Sequence, residues 1–294
     1  MLESGMPNFL YLAPAASGKT AYVLNLVREA AQDLTATPRV IVPSHLQVRA
    51  WRHRLAEAGG AIGVRILTFD NLYAECLGLA GEIYTELSEP VQYRLIRAVV
   101  DEVALDHFSP LRASPGFIQI LEQLIGELKA ARIWPEAFSH AVTALGDEPR
   151  LRELATIYTA YQARLQARAW ADRAGQAWLA VEALEERALD VARDWPLVVV
   201  DGFDSFTPVQ MALLEVLAGR VHDLIVTLTG TVDGSSRPLV HRRFDDTRRQ
   251  LEEILGLQAI PLPIQGRRAA PALTHLEANL FRGQAARQDG AGTV

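Results

Sequence analysis

Phe9-Leu10-Tyr11-Leu12-Ala13-Pro14-Ala15-Ala16-Ser17-Gly18-Lys19-Thr20 is the stretch on which the reading of this 294-residue chain turns. Four apolar residues, Phe9 to Leu12, predict a short buried strand that feeds a turn of small residues closed by Lys19-Thr20. In a phosphate-binding loop the backbone N–H groups wrap a β-phosphate, the lysine reaches the β- and γ-phosphates, and the hydroxyl holds magnesium. Those roles fall to Lys19 and Thr20, with Ala13, Pro14, Ala15, Ala16, Ser17 and Gly18 as the cradle. Gly18 allows close backbone approach. The amphipathic segment 20–33 then predicts a helix whose positive N-terminal end faces the phosphates. Ala13 stands where the pattern has its first glycine. Gly-Lys-Thr also occurs on ordinary surface turns, but here strand, small residues and helix follow in order. The expected ligand is a nucleotide with Mg2+, with Lys19 facing solvent until phosphate arrives.

Outward from that loop, apolar strand-like runs recur at Arg39–Val42, Val64–Phe69, Leu197–Val200 and Leu224–Leu228. The first three strands alternate with helix-length segments at 20–33, 44–58 and 70–80, the βαβ rhythm of a doubly wound parallel sheet. From Ser88 to about Asp190 nothing reads as a strand. Apolar residues there recur at helical spacing, as in Tyr93, Ile96, Val99, Val100 and Val103. Four or five helices are expected, broken at Ser109-Pro110, Ser114-Pro115, Trp134-Pro135 and Glu148-Pro149, because proline disfavours helix at its own position and the one before. The α/β fold therefore divides into 1–80 with 191–294 as the sheet domain, and 81–190 as an all-helical insertion.

A chain that is 49% hydrophobic and 22% charged is globular, and its length suits one large or two ordinary domains. Cys76 is the single cysteine, which excludes an internal disulfide and any cysteine-held metal or iron–sulfur cluster within this chain. No basic N-terminal region precedes an apolar segment and no run approaches a membrane span, so a cytoplasmic protein without a membrane partner is expected. A net charge of −6 argues against a globally basic nucleic-acid binder but permits a local basic groove.

The run Leu197-Val198-Val199-Val200 delivers Asp201 to the end of a strand, in the form of a Walker B segment. Such an aspartate can hold Mg2+ through water or through the loop threonine, which makes Thr20 and Asp201 the metal pair. Many helicase-type ATPases place a water-activating glutamate next, and here that position is Gly202. Unless Asp204 supplies the carboxylate, efficient hydrolysis is not expected. Asp204 also reads as an ordinary turn residue.

These motifs together resemble the B-subunit family of AddAB helicase–nucleases, whose N-terminal part is related to UvrD-like superfamily 1 helicases. The resemblance spans nearly the whole chain. It is carried by the phosphate loop, Val40-Ile41-Val42-Pro43, Leu67-Thr68-Phe69-Asp70-Asn71-Leu72, Leu154–Tyr161 and Leu273-Thr274-His275-Leu276-Glu277. Most specific is Val200-Asp201-Gly202-Phe203-Asp204-Ser205-Phe206-Thr207-Pro208-Val209-Gln210, including the glycine in the glutamate position. The resemblance implies a RecA-like domain, 1A, with a helical domain, 1B, inserted between its third and fourth strands. It implies binding of ATP with Mg2+ and a role in double-strand-break processing and recombinational repair, with an A-type helicase–nuclease subunit as partner. The family's second RecA-like domain, its nuclease domain and its iron–sulfur cysteines are not in this sequence, and the polar end of the chain reads as a truncation in preference to the end of a naturally short homologue. No glutamine-containing adenine motif precedes Phe9, and Thr227–Gly234 lacks the glutamine that senses a γ-phosphate in working helicases.

Single-stranded DNA is the expected partner, with candidate contacts at Ser44, His45, Arg49, Thr68, Phe69 and Asn71, the segments that face DNA in superfamily 1 helicases. Arg52, His53 and Arg54 extend the basic group, which a solvated helix face would explain equally. The run Arg237, His241, Arg242, Arg243, Arg248 and Arg249, interrupted by Asp245 and Asp246, reads as a solvated helix. Trp134, Trp170, Trp178 and Tyr161 fall in apolar helical patterns and read as core. Three classes stay open: a DNA-processing subunit with a silent motor, a working DNA-dependent ATPase using Asp204, and an unrelated P-loop kinase or NTPase with a helical lid.

Overall fold

The computed structural model describes residues 8–186, 195–231, 238–256 and 258–262, with a few positions between 272 and 281. The chain forms two compact units, one of residues 1–69, 190–206 and 214–294, the other of residues 70–189 and 207–213.

The first unit is built on a six-stranded sheet, with all described pairings parallel. Its strands are β1 (Asn8–Ala13), β2 (Arg39–Ile41), β3 (Arg65–Leu67), β6 (Leu197–Val200), β7 (Asp223–Thr229) and β8 (Ile260–Pro261), in the order β3-β2-β6-β7-β1-β8. The central strands read as continuous apolar runs because a parallel sheet is covered on both faces. Helices α1 (Lys19–Ala30) and α2 (His45–Glu57) cover one face. Val23, Leu24 and Val27 of α1 and Val48, Trp51 and Leu55 of α2 pack there against Tyr11, Val40, Ile66 and Val199. Helix α9 (Pro208–Ala218) follows β6 in the chain, and helix α10 (Pro238–Leu255) lies against β1 and β7. It carries the second basic run, and its cations meet acids: Arg249 pairs with Asp246 and Arg243 with Asp204. Arg237 and residues 232–234 lie outside the described residues, as do Leu273, Thr274 and Glu277.

The second unit holds α3 (Phe69–Leu79), α4 (Glu89–Glu102), α5 (Pro115–Ala130), α6 (Pro135–Ala144), α7 (Pro149–Gln166) and α8 (Arg173–Glu186), with a 3-10 turn at Ser109–Leu111. Prolines open α5, α6 and α7 at the expected breaks, since the first helical turn needs no N–H from that residue. The structure departs from an all-helical insertion by one short parallel ladder, β4 (Thr85–Glu86) with β5 (Trp170–Ala171). Two residues are too few for alternation to show in sequence. The core gathers Ile96, Val100, Ile118, Leu121, Ile125, Ile157, Tyr158 and Tyr161. Cys76 and Trp178 are buried, whereas Trp134 and Trp170 are half-buried.

One buried polar cluster pins three of these helical segments together. Lys129 Nζ and the Tyr161 hydroxyl each donate to Asp172 Oδ2 at 2.7 Å, and the Gly175 N–H donates to Oδ1 at 2.6 Å. Burial pushes the Lys129 ammonium below its ordinary value while Asp172 pulls the other way. Removing one partner from so buried a pair costs about 3–5 kcal/mol. Among the described residues no helix is long and apolar enough to cross a membrane.

Candidate functional site

The phosphate-loop residues form a turn between β1 and α1. Ala16 (φ 56°) and Gly18 (φ 89°) both adopt left-handed backbone, and Gly18 caps α1 without a side chain. Such a turn directs successive N–H groups into one concavity at the positive end of a helix. Ser17 is 3% exposed, and its Oγ has no hydrogen-bond partner among the described residues. A buried hydroxyl left unpaired costs about 1–3 kcal/mol, so its place beside Gly18 and Lys19 marks where an acceptor would sit. All three line a cleft of about 660 Å³ that continues past Thr20 and Ala21.

Lys19 is half-buried and turned back onto its own loop, where the sequence predicts a lysine pointing into solvent. Its Nζ donates to Ala13 O and Pro14 O, both at 3.1 Å, and to Thr229 Oγ1 at 3.2 Å. An ammonium has three donors, and the loop's own carbonyls lie within its reach.

Asp201, 4% exposed, is gripped from three sides. Its Oδ2 accepts from Thr20 Oγ1 at 2.8 Å and from Trp51 Nε1 at 3.1 Å, and its Oδ1 accepts from Thr227 Oγ1 at 2.6 Å. The strand carrying Asp201 is not the neighbour of the phosphate-loop strand, because β7 lies between β6 and β1. That interposed strand supplies a hydroxyl to each key residue, Thr227 to Asp201 and Thr229 to Lys19. Sequence reasoning does not single out Trp51, Thr227 or Thr229. The alternation of two threonines at the end of an apolar run is a usable signal, since residues i and i+2 share a face of a strand. Trp51 offers none.

Gly202 takes φ +88°, a left-handed conformation. Asp204 is bound into the fold: Arg243 Nη2 donates to its Oδ2, and Thr247 Oγ1 donates to its backbone O at 2.8 Å. Phe203 and Phe206 stack on each other and meet Phe69 edge-on.

The DNA candidates divide. Ser44 caps α2, its Oγ accepting the Gln47 N–H at 3.3 Å, and Ser44, His45 and Arg49 are exposed. Asn71 is exposed in the first turn of α3. Thr68 and Phe69 are 6% and 4% exposed, and the Phe69 ring is taken up by the aromatic triad. At 100° per residue Arg49, Arg52 and His53 share one stripe of α2, whereas Arg54 points elsewhere and lines the phosphate-loop cleft.

The family described as "ADDB, N-terminal" matches residues 10–277. The chain belongs to the AddB N-terminal family. Relatives include the B subunit of the ATP-dependent helicase/deoxyribonuclease of Moorella thermoacetica, 31% identical over 94% of this chain and 27% of that protein. The protein of the same name from Symbiobacterium thermophilum is 28% identical over 94% of this chain and 26% of its own length. That from Ruminiclostridium cellulolyticum is 24% identical over 84% and 21%. The chain thus spans about a quarter of the length of the AddB relatives it matches.

Among the described residues no three His, Cys, Asp or Glu side chains converge as a metal site. A lone carboxylate with a threonine hydroxyl fits a hard cation that keeps several waters and takes its remaining oxygens from phosphates, which is how Mg2+ is commonly held.

Proposed function

We propose that this chain is the nucleotide- and DNA-holding N-terminal module of an AddB-type protein. It binds ATP with Mg2+ and single-stranded DNA in double-strand-break processing and recombinational repair, with a silent helicase motor. In this reading residues 1–80 and 191–294 are the RecA-like domain 1A, and residues 81–190 are the inserted domain 1B. The partner is an A-type helicase–nuclease subunit.

The observation that carries the nucleotide reading is the 2.8 Å hydrogen bond to Asp201 from Thr20, which lines a cleft together with Lys19 and the unpartnered Ser17. Ala13, Pro14, Ala15, Ala16 and Gly18 shape the backbone cradle. Lys19 exchanges part of its present carbonyl set for β- and γ-phosphate oxygens, and Thr20 and Asp201 hold the metal. Magnesium supplies charge neutralisation on the phosphates. Hydrolysis further needs a carboxylate that orients the attacking water. Gly202 has none, and Asp204 is engaged by Arg243. For DNA the exposed Ser44, His45, Arg49 and Asn71 make the contacts, while the buried Thr68 and Phe69 hold their segment in place.

Calorimetry with ATP and Mg2+, beside turnover with and without single-stranded DNA, tests this. We expect binding with negligible turnover. Lys19→Ala should weaken ATP binding at least about 100-fold, on the scale of two charge-assisted contacts. It should also lower the melting temperature by about 2–4 °C, because three acceptors lose their donor. Brisk DNA-stimulated turnover would refute the silent motor. Turnover indifferent to DNA would favour a kinase-like NTPase.

A further inference from the structure

The cleft that begins at the phosphate loop is larger than phosphates require. It runs on between α1 and α2, and its volume of about 660 Å³ lies within the ordinary range for sites that enclose a whole small ligand. Beyond Thr20 its lining changes character. Ala21, Leu24 and Ala58 give a small apolar floor, and Asn25, Arg54 and Glu57 give a polar rim. Arg54 reaches this position because it lies well over 90° around α2 from the Arg49 and Arg52 stripe at 100° per residue. A small apolar floor, a guanidinium and one amide suit a planar heteroaromatic ring with a polar edge. A guanidinium stacks on such a ring as on an aromatic side chain.

We propose that Ala21, Leu24, Asn25, Arg54, Glu57 and Ala58 form the base subsite of the bound nucleotide, with adenine preferred to guanine. This rests on the nucleotide reading above. Arg54 lies over the face of the base. The Asn25 amide offers one acceptor and one donor, the pattern complementary to adenine N6 and N7. Glu57 Oε1 lies 3.2 Å from His53 Nε2, and its other oxygen accepts from the exocyclic amino group of adenine. Guanine presents a carbonyl oxygen at that position, and two acceptors facing each other repel.

The test is calorimetry on the 294-residue chain with Mg2+ and three probes: ATP, GTP and inorganic tripolyphosphate. Wild type should bind ATP about tenfold more tightly than GTP. Arg54→Ala should weaken ATP about tenfold and leave tripolyphosphate unchanged, the size of a desolvated cation–π contact. Glu57→Gln should narrow the gap between ATP and GTP, since an amide can serve either base. Equal losses of ATP and tripolyphosphate in Arg54→Ala would make Arg54 a phosphate contact and overturn the base subsite. Unchanged ATP binding in Arg54→Ala, or an unchanged ATP-to-GTP ratio in Glu57→Gln, would overturn it too. The nucleotide reading fails separately, if wild type binds neither ATP nor tripolyphosphate.

Discussion

Gly202 shows how much a single position can hold. Read as sequence it is the place where a catalytic glutamate is missing. The fold adds a reason for glycine to be there, because φ +88° is a conformation in which an L side chain costs about 1–2 kcal/mol. Space for the Cβ itself is not the obstacle, since it would meet Gln47 Nε2 at 3.4 Å and Pro43 Cδ at 3.6 Å, ordinary contacts. Gly202→Glu is therefore expected to lower the melting temperature by about 2–4 °C and leave ATP turnover at the wild-type level. Turnover that rises without loss of stability would mean that the loop relaxes and accepts the carboxylate. Asp201 is legible from sequence because a buried strand ending in a carboxylate is a pattern. Trp51 is not, because an aromatic on the apolar stripe of an amphipathic helix looks like core until its N–H is seen 3.1 Å from Asp201.

Among the elements, those with long periodic patterns can be read and those held by a few backbone hydrogen bonds cannot. Strand β1, helix α1 and the proline-opened helices α5, α6 and α7 announce themselves through apolar runs and helix-start chemistry. The β4–β5 ladder and edge strand β8 are two residues long, and nothing in two residues separates a strand from a loop. Lys129 escapes a sequence reading although it follows Leu121 and Ile125 at four-residue spacing, where a cation on an apolar stripe implies a buried partner. Glu153 is a comparable device on the outside of α7. Its carboxylate accepts three backbone N–H groups, from Asp106 at 2.8 Å, His107 at 2.7 Å and Phe108 at 2.9 Å. Partial burial works to raise its pKa, but these three bonds and nearby His107 hold it below the ordinary glutamate value. A carboxylate whose pKa falls on folding stabilises above its unfolded value and loses that contribution as pH drops through the folded one. Glu153→Gln should thus lower the melting temperature by about 2–4 °C at neutral pH. The difference from wild type should shrink as pH falls below the ordinary carboxylate range, and a difference independent of pH would show that geometry rather than charge holds the turn.

For the whole molecule, a net charge of −6 means that any affinity for DNA would have to come from a local surface. The exposed stripe of α2 bearing Arg49 and Arg52 is the candidate, and its contribution should be salt-dependent. Charge reversal at both positions, Arg49→Glu with Arg52→Glu, should weaken single-stranded DNA binding and flatten the log–log salt dependence by at least about 1.4, at roughly 0.7 for each phosphate no longer neutralised. An unchanged salt slope would place the DNA elsewhere. The family and the two-part rhythm of sheet and helices are within reach of sequence because they rest on motifs spread along the chain. The split of the α2 arginines between an outer stripe and the phosphate-loop cleft is not, because it depends on where the helix settles on the sheet. The hydrogen bond from Trp51 to Asp201 also makes the protein its own optical instrument. Of five tryptophans, Trp134, Trp170 and Trp178 belong to the helical unit and Trp195 lies beneath the Arg39 guanidinium, which leaves Trp51 as the indole whose N–H touches the Asp201 carboxylate. If Asp201 takes a divalent cation as proposed, charge would be drawn away from that indole, and the emission of Trp51 would report the filling of the site without any added label.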